Sequence, residues 1–195
     1  MANQNNAQGG IAYLDMQAQV GITKHIGGRA ATDQLLAWCH AENAREILVV
    51  GCGIGVSTAY IAKKIACHVV SVDISNKMIE WARLRAQREH VESKIEFRNA
   101  DIQDLPFDAN RFDAVIVESV VAFVPDKARA IQECVRVTKP GGYVGLNESF
   151  LAKPLSPELA EMVSRTLGGI EMPTLETWQF LWDASGLQER VLQSY

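Results

Sequence analysis

Hydrophobic and polar positions along this chain fall into two alternating patterns. Short runs of β-branched apolar residues occur at Glu46–Val50, His68–Asp73, Lys94–Arg98, Asp113–Glu118 and Tyr143–Asn147. Between them lie stretches of helical period and helix-forming composition at Thr58–Ala66, Lys77–Glu89 and Lys127–Thr138. In the second of these, Met78, Ile79, Ala82, Leu84 and Ala86 are interleaved with charged residues, a face-forming pattern. Ser75 stands just ahead of it, where an N-cap would sit. An earlier helix is predicted over Gly28–His40. "TKPGGYVG" closes the helix before it and opens a strand, because Pro140 cannot continue a helix and Gly141-Gly142 permit a sharp reversal. Beyond residue 150, "SPELAEMVSRTLG" and "TLETWQFLWDASG" read as two more helices, the second with Gly186 as its C-cap, and "LQERVLQSY" as a sixth strand. Such alternation implies right-handed crossovers and a parallel sheet covered on both faces. The expected fold is therefore α/β, three layers, doubly wound around a mostly parallel sheet.

Composition narrows the partners. The 195 residues are 48% hydrophobic and 22% charged, ordinary for a single globular domain. A net charge of -4 argues against a nucleic-acid partner held by backbone electrostatics. No apolar run approaches the ~20 residues of a membrane helix. The opening "MANQNNAQGG" has neither the basic nor the apolar region of a secretory signal and reads as a mobile tail over residues 1–10. Cys39, Cys52, Cys67 and Cys134 are scattered, with no CxxC pair or His/Cys cluster. Free thiols, no metal site and a reducing, cytoplasmic setting are expected.

The chemistry starts at "ILVVGCGIGVSTAYIA". Gly51, Gly53 and Gly55 crowd five positions between a predicted strand and a predicted helix. In an open parallel sheet, ligands bind beyond the carboxyl ends of the strands, where the strand order reverses. The dinucleotide fingerprint G-x-G-x-x-G would need glycine at position 56, which is Val56, and no lysine follows to make a phosphate loop. Asp73 ends the second strand, 22 residues after Gly51, the placement of an acid that accepts from ribose hydroxyls. A plain acid favoured by the dipole of the next helix is the competing reading.

Five motifs, "VVGCGIG", "VDIS", "NADIQDLPF", "RFDAVIVES" and "RVTKPGGYVGLNE", then stand in order between Arg45 and Glu148. In this the sequence resembles the class I S-adenosylmethionine-dependent methyltransferases, nearest to the small-molecule, ubiquinone-biosynthesis-like type 11 branch, with a Rossmann-like methyltransferase fold. The resemblance implies that Gly51, Cys52, Gly53 and Gly55 pack against the methionine and ribose parts of S-adenosylmethionine. It implies that Asp73 holds the ribose diol, Ile74 lies on the adenine face, and Asp101 accepts from the adenine amine with Ile102 nearby. Glu118 and Ser119 would line the methyl-transfer site, with Glu118 as candidate base or cofactor-orienting group. Residues 11–44 would form an entrance segment and helix, in which Gly28 approaches the cofactor and Tyr13 and His25 reach the substrate. A glycine turn before a packed helix is the plainer account of that segment.

The resemblance departs at Val49, where the family carries an acid that orients the cofactor's amino group. Carbonyls of the glycine loop are the expected replacement. Residues 45–195 would be the methyltransferase domain, shortened at its C-terminal end, because no sequence follows "LQERVLQSY" for the family's seventh strand. An open sheet edge of that kind is expected to be covered in a homodimer. The implied activity is methyl transfer to a small-molecule acceptor, chiefly by proximity, with S-adenosylhomocysteine as product. The alternative is a cofactor-binding module inactive alone. Elsewhere, Arg83, Arg85 and Arg88 read as a solvated helix face, and Trp178 and Trp182, four apart, as core packing.

Overall fold

A computed structural model of the chain describes residues 16–23, 25–167, 169–188, 191 and 193. The tail at 1–10 and Tyr13 lie outside the described residues. Strands β1 (Glu46–Val50), β2 (His68–Asp73), β3 (Ile95–Asn99), β4 (Phe112–Glu118) and β5 (Thr138–Asn147) form one sheet in the order β3-β2-β1-β4-β5. Every pairing is parallel. Around it pack α1 (Gly28–Trp38), α2 (Val56–Lys64), α3 (Asn76–Arg88), α4 (Lys127–Val137), α5 (Pro157–Thr166) and α6 (Leu175–Ala184). The order reverses between β1 and β4, which opens the crevice expected of a doubly wound sheet.

Alternate side chains of each strand enter different apolar compartments. Ile47 and Val49 join Leu35, Ile61, Ile79 and Ile116 on one face of the sheet. Leu48 and Val50 join Val117, Ile131, Val137 and Trp178 on the other. Burial on both faces is why these strands appear in the sequence as unbroken apolar runs.

Local chemistry sets the element ends. The Ser75 hydroxyl accepts the Met78 amide hydrogen at 3.4 Å and caps α3. Gly55 occupies the left-handed region at the start of α2, so that helix begins at Val56, two residues earlier than the pattern predicts. Lys94 belongs to a 3-10 turn, which moves β3 on by one residue. Leu84 is exposed rather than part of the buried face of α3. The reversal expected at Gly141-Gly142 is a bulge inside β5. Thr138 pairs with Phe112 and Tyr143 with Ala114, so Lys139–Gly142 loop out of the ladder. Of the sixth strand expected over 187–195, Leu187, Gln188, Val191 and Gln193 are not in a strand, and the remainder lies outside the described residues. Trp178 is buried in the second compartment with Trp182 against it, as core packing predicts. α5, by contrast, has no buried residue.

Candidate functional site

Gly51, Gly53 and Gly55 all have positive φ, at 68°, 51° and 79°, the backbone region that disfavours any residue with a Cβ. Each is also approached by the protein itself. A Cβ on Gly51 would collide with the Cγ2 methyl of Val120, one on Gly53 would lie 2.8 Å from the Thr23 hydroxyl, and one on Gly55 2.9 Å from Ala82 of α3. The glycines thus let the loop nest against the turn after β4, the N-terminal segment and α3, a role that a reading based only on ligand clearance leaves out. Cys52, buried in this loop, has its thiol pushed up to about 12 by burial, so it is no nucleophile.

The end of β2 holds the loop in place. One Asp73 oxygen accepts the Gly53 amide hydrogen at 2.8 Å and the other accepts that of Ser75 at 2.9 Å. Burial raises the Asp73 pKa, and these two N–H groups oppose the rise. A carboxylate has about four acceptor sites, so two remain for a diol. Beside it Ile74 is 62% exposed, an apolar side chain on the rim of the cleft. After β3, Asp101 accepts from the backbone and side chain of Gln103. The Ile102 side chain is buried in the second compartment, so only its backbone can face a ligand.

At the end of β4, Glu118 gathers three segments. Its Oε1 accepts from the Thr32 hydroxyl at 2.9 Å and its Oε2 from the Ser57 hydroxyl at 2.7 Å, while His25 Nδ1 stands 3.3 Å from Oε1. Ser119 follows with φ of 58°, a strained conformation of the kind that collects at functional sites. The N-terminal segment is laced over this edge. Trp81 Nε1 donates to the Ala18 carbonyl at 2.8 Å, the Ile26 amide to the Ser119 hydroxyl at 3.4 Å, and Asn147 to the Ile26 carbonyl at 2.7 Å. Gly28 opens α1 with nothing within 4 Å of where a Cβ would be.

The contacts of three supporting residues escape sequence reasoning. Glu148, just past β5, accepts from the amides of Val120, Val121 and Ala122 and so fixes the turn that presses on Gly51. Arg85 donates to the Ile54 carbonyl at 2.9 Å and Arg83 to the Phe97 carbonyl at 2.7 Å, so these two arginines of α3 are more than a solvated face. Neither "RVTKPGGYVGLNE" nor the arginine spacing carries a signal for these contacts. Among the described residues no cluster of His, Cys, Asp and Glu could hold a metal, and no helix is long and apolar enough to cross a membrane.

Residues 48–146 match a family described as methyltransferase domain. The chain is 28% identical to an uncharacterized protein of Haemophilus influenzae, over 88% of this chain and 70% of that protein. It is 31% identical to a demethylmenaquinone methyltransferase of Clavibacter sepedonicus, over 77% of this chain but only 64% of that enzyme. Among solved structures, Haemonchus contortus phosphoethanolamine N-methyltransferase 2, in complex with phosphomonomethylethanolamine and S-adenosylhomocysteine, superposes with a TM-score of 0.75. That match has 20% identity and covers 94% of this chain and 43% of the larger one.

Proposed function

Because the chain belongs to the methyltransferase-domain family, the type 11 branch of the class I S-adenosylmethionine-dependent methyltransferases, we propose that it binds S-adenosylmethionine and methylates a small-molecule acceptor. The observation that carries this reading is the joint placement of Asp73 and the glycine loop. The acid that would take the ribose diol is bonded to the amide of Gly53, the residue over which the ribose and methionine would lie. Ile74 offers an exposed apolar side chain to the adenine, and Asp101 an acceptor to its amine. Glu118 and Ser119 lie where the strand order reverses, at the methionine end.

When bound, this cofactor supplies a methyl group already activated by a sulfonium. The chain's own task is to hold the acceptor in line and exclude water, and well-oriented reactants reach effective molarities of about 10⁵–10⁸ M. Glu118 already accepts from two hydroxyls and has His25 beside it, which favours catalysis by orientation. The quinone relative supports an aromatic, weakly polar acceptor. Among the described residues β5 is an edge strand, which supports a homodimer that a monomer by light scattering at high concentration would overturn, and the four free cysteines support a reducing, cytoplasmic setting.

Calorimetric titration with S-adenosylmethionine, S-adenosylhomocysteine and NAD in parallel tests the reading. Micromolar binding of the two sulfur nucleosides and none of NAD is expected. Failure of both to bind would overturn it. Binding with no methyl transfer to quinols or amines would favour the inactive cofactor-binding module.

A further inference from the structure

We infer that Glu118 receives the ammonium group of the cofactor's amino-acid tail, an assignment that rests on the cofactor reading above. The Glu118 side chain is 6% exposed. Two of its neighbours are neutral hydroxyls, Thr32 and Ser57, and the third is the His25 imidazole. Among the described residues no lysine or arginine is paired with it. Burying a carboxylate is costly unless it is hydrogen-bonded and paired with positive charge. The hydroxyls and the imidazole hold the group in place, and an ammonium adds the fixed positive charge that an imidazole carries only when protonated.

The order of acceptors along the sheet edge gives the direction of the ligand. Asp101 follows β3, Asp73 ends β2, the glycine loop follows β1 and Glu118 ends β4, in the spatial order of those strands. Strands lie ~4.8 Å apart, so the carboxylates of β2 and β4, with β1 between them, are roughly 10 Å apart. That span suits a molecule with a diol at one end of a short thioether arm and an ammonium at the other. Asp73 takes the first and Glu118 the second.

Of the expected alternative, the carbonyls of the glycine loop, those of residues 52–55 each already accept a hydrogen bond. The Cys52 carbonyl accepts from Gly55, that of Gly53 from the Cys52 thiol, that of Ile54 from Arg85 and that of Gly55 from Ala59. Val49 itself is buried in the first compartment. It pairs with Ile116 of β4, and Glu118 lies two residues further along that strand, on the same side of the sheet. The negative charge has moved one strand over.

The test titrates wild-type protein and Glu118→Gln with three probes: S-adenosylhomocysteine, its deaminated analogue, and 5′-methylthioadenosine, which lacks the whole amino-acid tail. Wild-type protein should prefer S-adenosylhomocysteine over the deaminated analogue at least tenfold. Glu118→Gln should lose that preference and bind S-adenosylhomocysteine at least tenfold more weakly, with 5′-methylthioadenosine unchanged. Retention of the preference in Glu118→Gln would overturn the assignment. So would equal loss of all three probes, which would make Glu118 a support of the loop. The wild-type preference does not depend on how the variant folds, and its absence would also overturn the assignment. If wild-type protein binds neither S-adenosylhomocysteine nor 5′-methylthioadenosine, the cofactor reading itself falls, and this assignment with it.

Discussion

The Asp73 carboxylate accepts the amide hydrogen of Gly53 at 2.8 Å, so the end of β2 holds the loop that leaves β1. Hydrogen bonds to a charged group contribute about 1.5–3 kcal/mol each. Asp73→Ala should therefore destabilise the protein by about 2 kcal/mol and weaken S-adenosylhomocysteine binding more than tenfold. Urea unfolding and calorimetry read the two effects. Unchanged affinity would remove Asp73 from the ribose site.

Gly51→Ala tests the packing of Val120 against the loop. The substitution puts a Cβ into the Val120 methyl at a backbone φ of 68°. Two costs are combined, a clash and left-handed strain of about 1–2 kcal/mol. Adding Val120→Ala removes the methyls and should recover the clash but not the strain. A double-mutant cycle by chemical denaturation should show a coupling of at least 1 kcal/mol. Strict additivity would mean that the strain alone matters.

Ile74→Asp should leave stability within about 0.5 kcal/mol, because the side chain is exposed and makes little of the core. Its effect should appear only in cofactor affinity, as a loss of several-fold or more. Equal affinity would place the adenine elsewhere.

Burial pushes the Glu148 carboxyl from its ordinary 4.5 up to about 7, although three backbone amides favour its ionised form. Between those values the native state holds a proton that the unfolded chain has released. Stability contributed by this group is therefore present below pH 4.5 and falls as pH rises through about 7. Glu148→Gln should flatten that part of the profile, measured as the denaturation midpoint against pH. A slope unchanged in the variant would assign the pH dependence to another group.

Much of the fold is legible because backbone periodicity is local. β1 and β2 begin and end where the apolar runs do, and Ser75 caps α3 as its side chain predicts. The misplaced ends trace to local backbone geometries, among them the left-handed Gly55, the 3-10 turn that takes Lys94 and the bulge at Lys139–Gly142. The site is legible only as far as each strand end carries its own signal. Glycines, Asp73 and Asp101 can be read one by one. Glu118 can be marked but not understood, because Thr32, Ser57 and His25 come from three separate segments that only the finished fold brings together. Glu148 and Arg85 act on backbone groups, which have no sequence signature at all.

The sheet that separates the apolar interior into two compartments also divides control of the site. The wall after β3 is rooted in one compartment, through Ile102, Leu105 and Phe107. The glycine loop and the helix after it are rooted in the other, through Cys52, Ala59 and Ile61. If the proposed cofactor binds as inferred, variation in the packing of one compartment would bear mainly on the purine and variation in the other mainly on the amino-acid arm. A descendant of this chain could drift in one specificity while conserving the other.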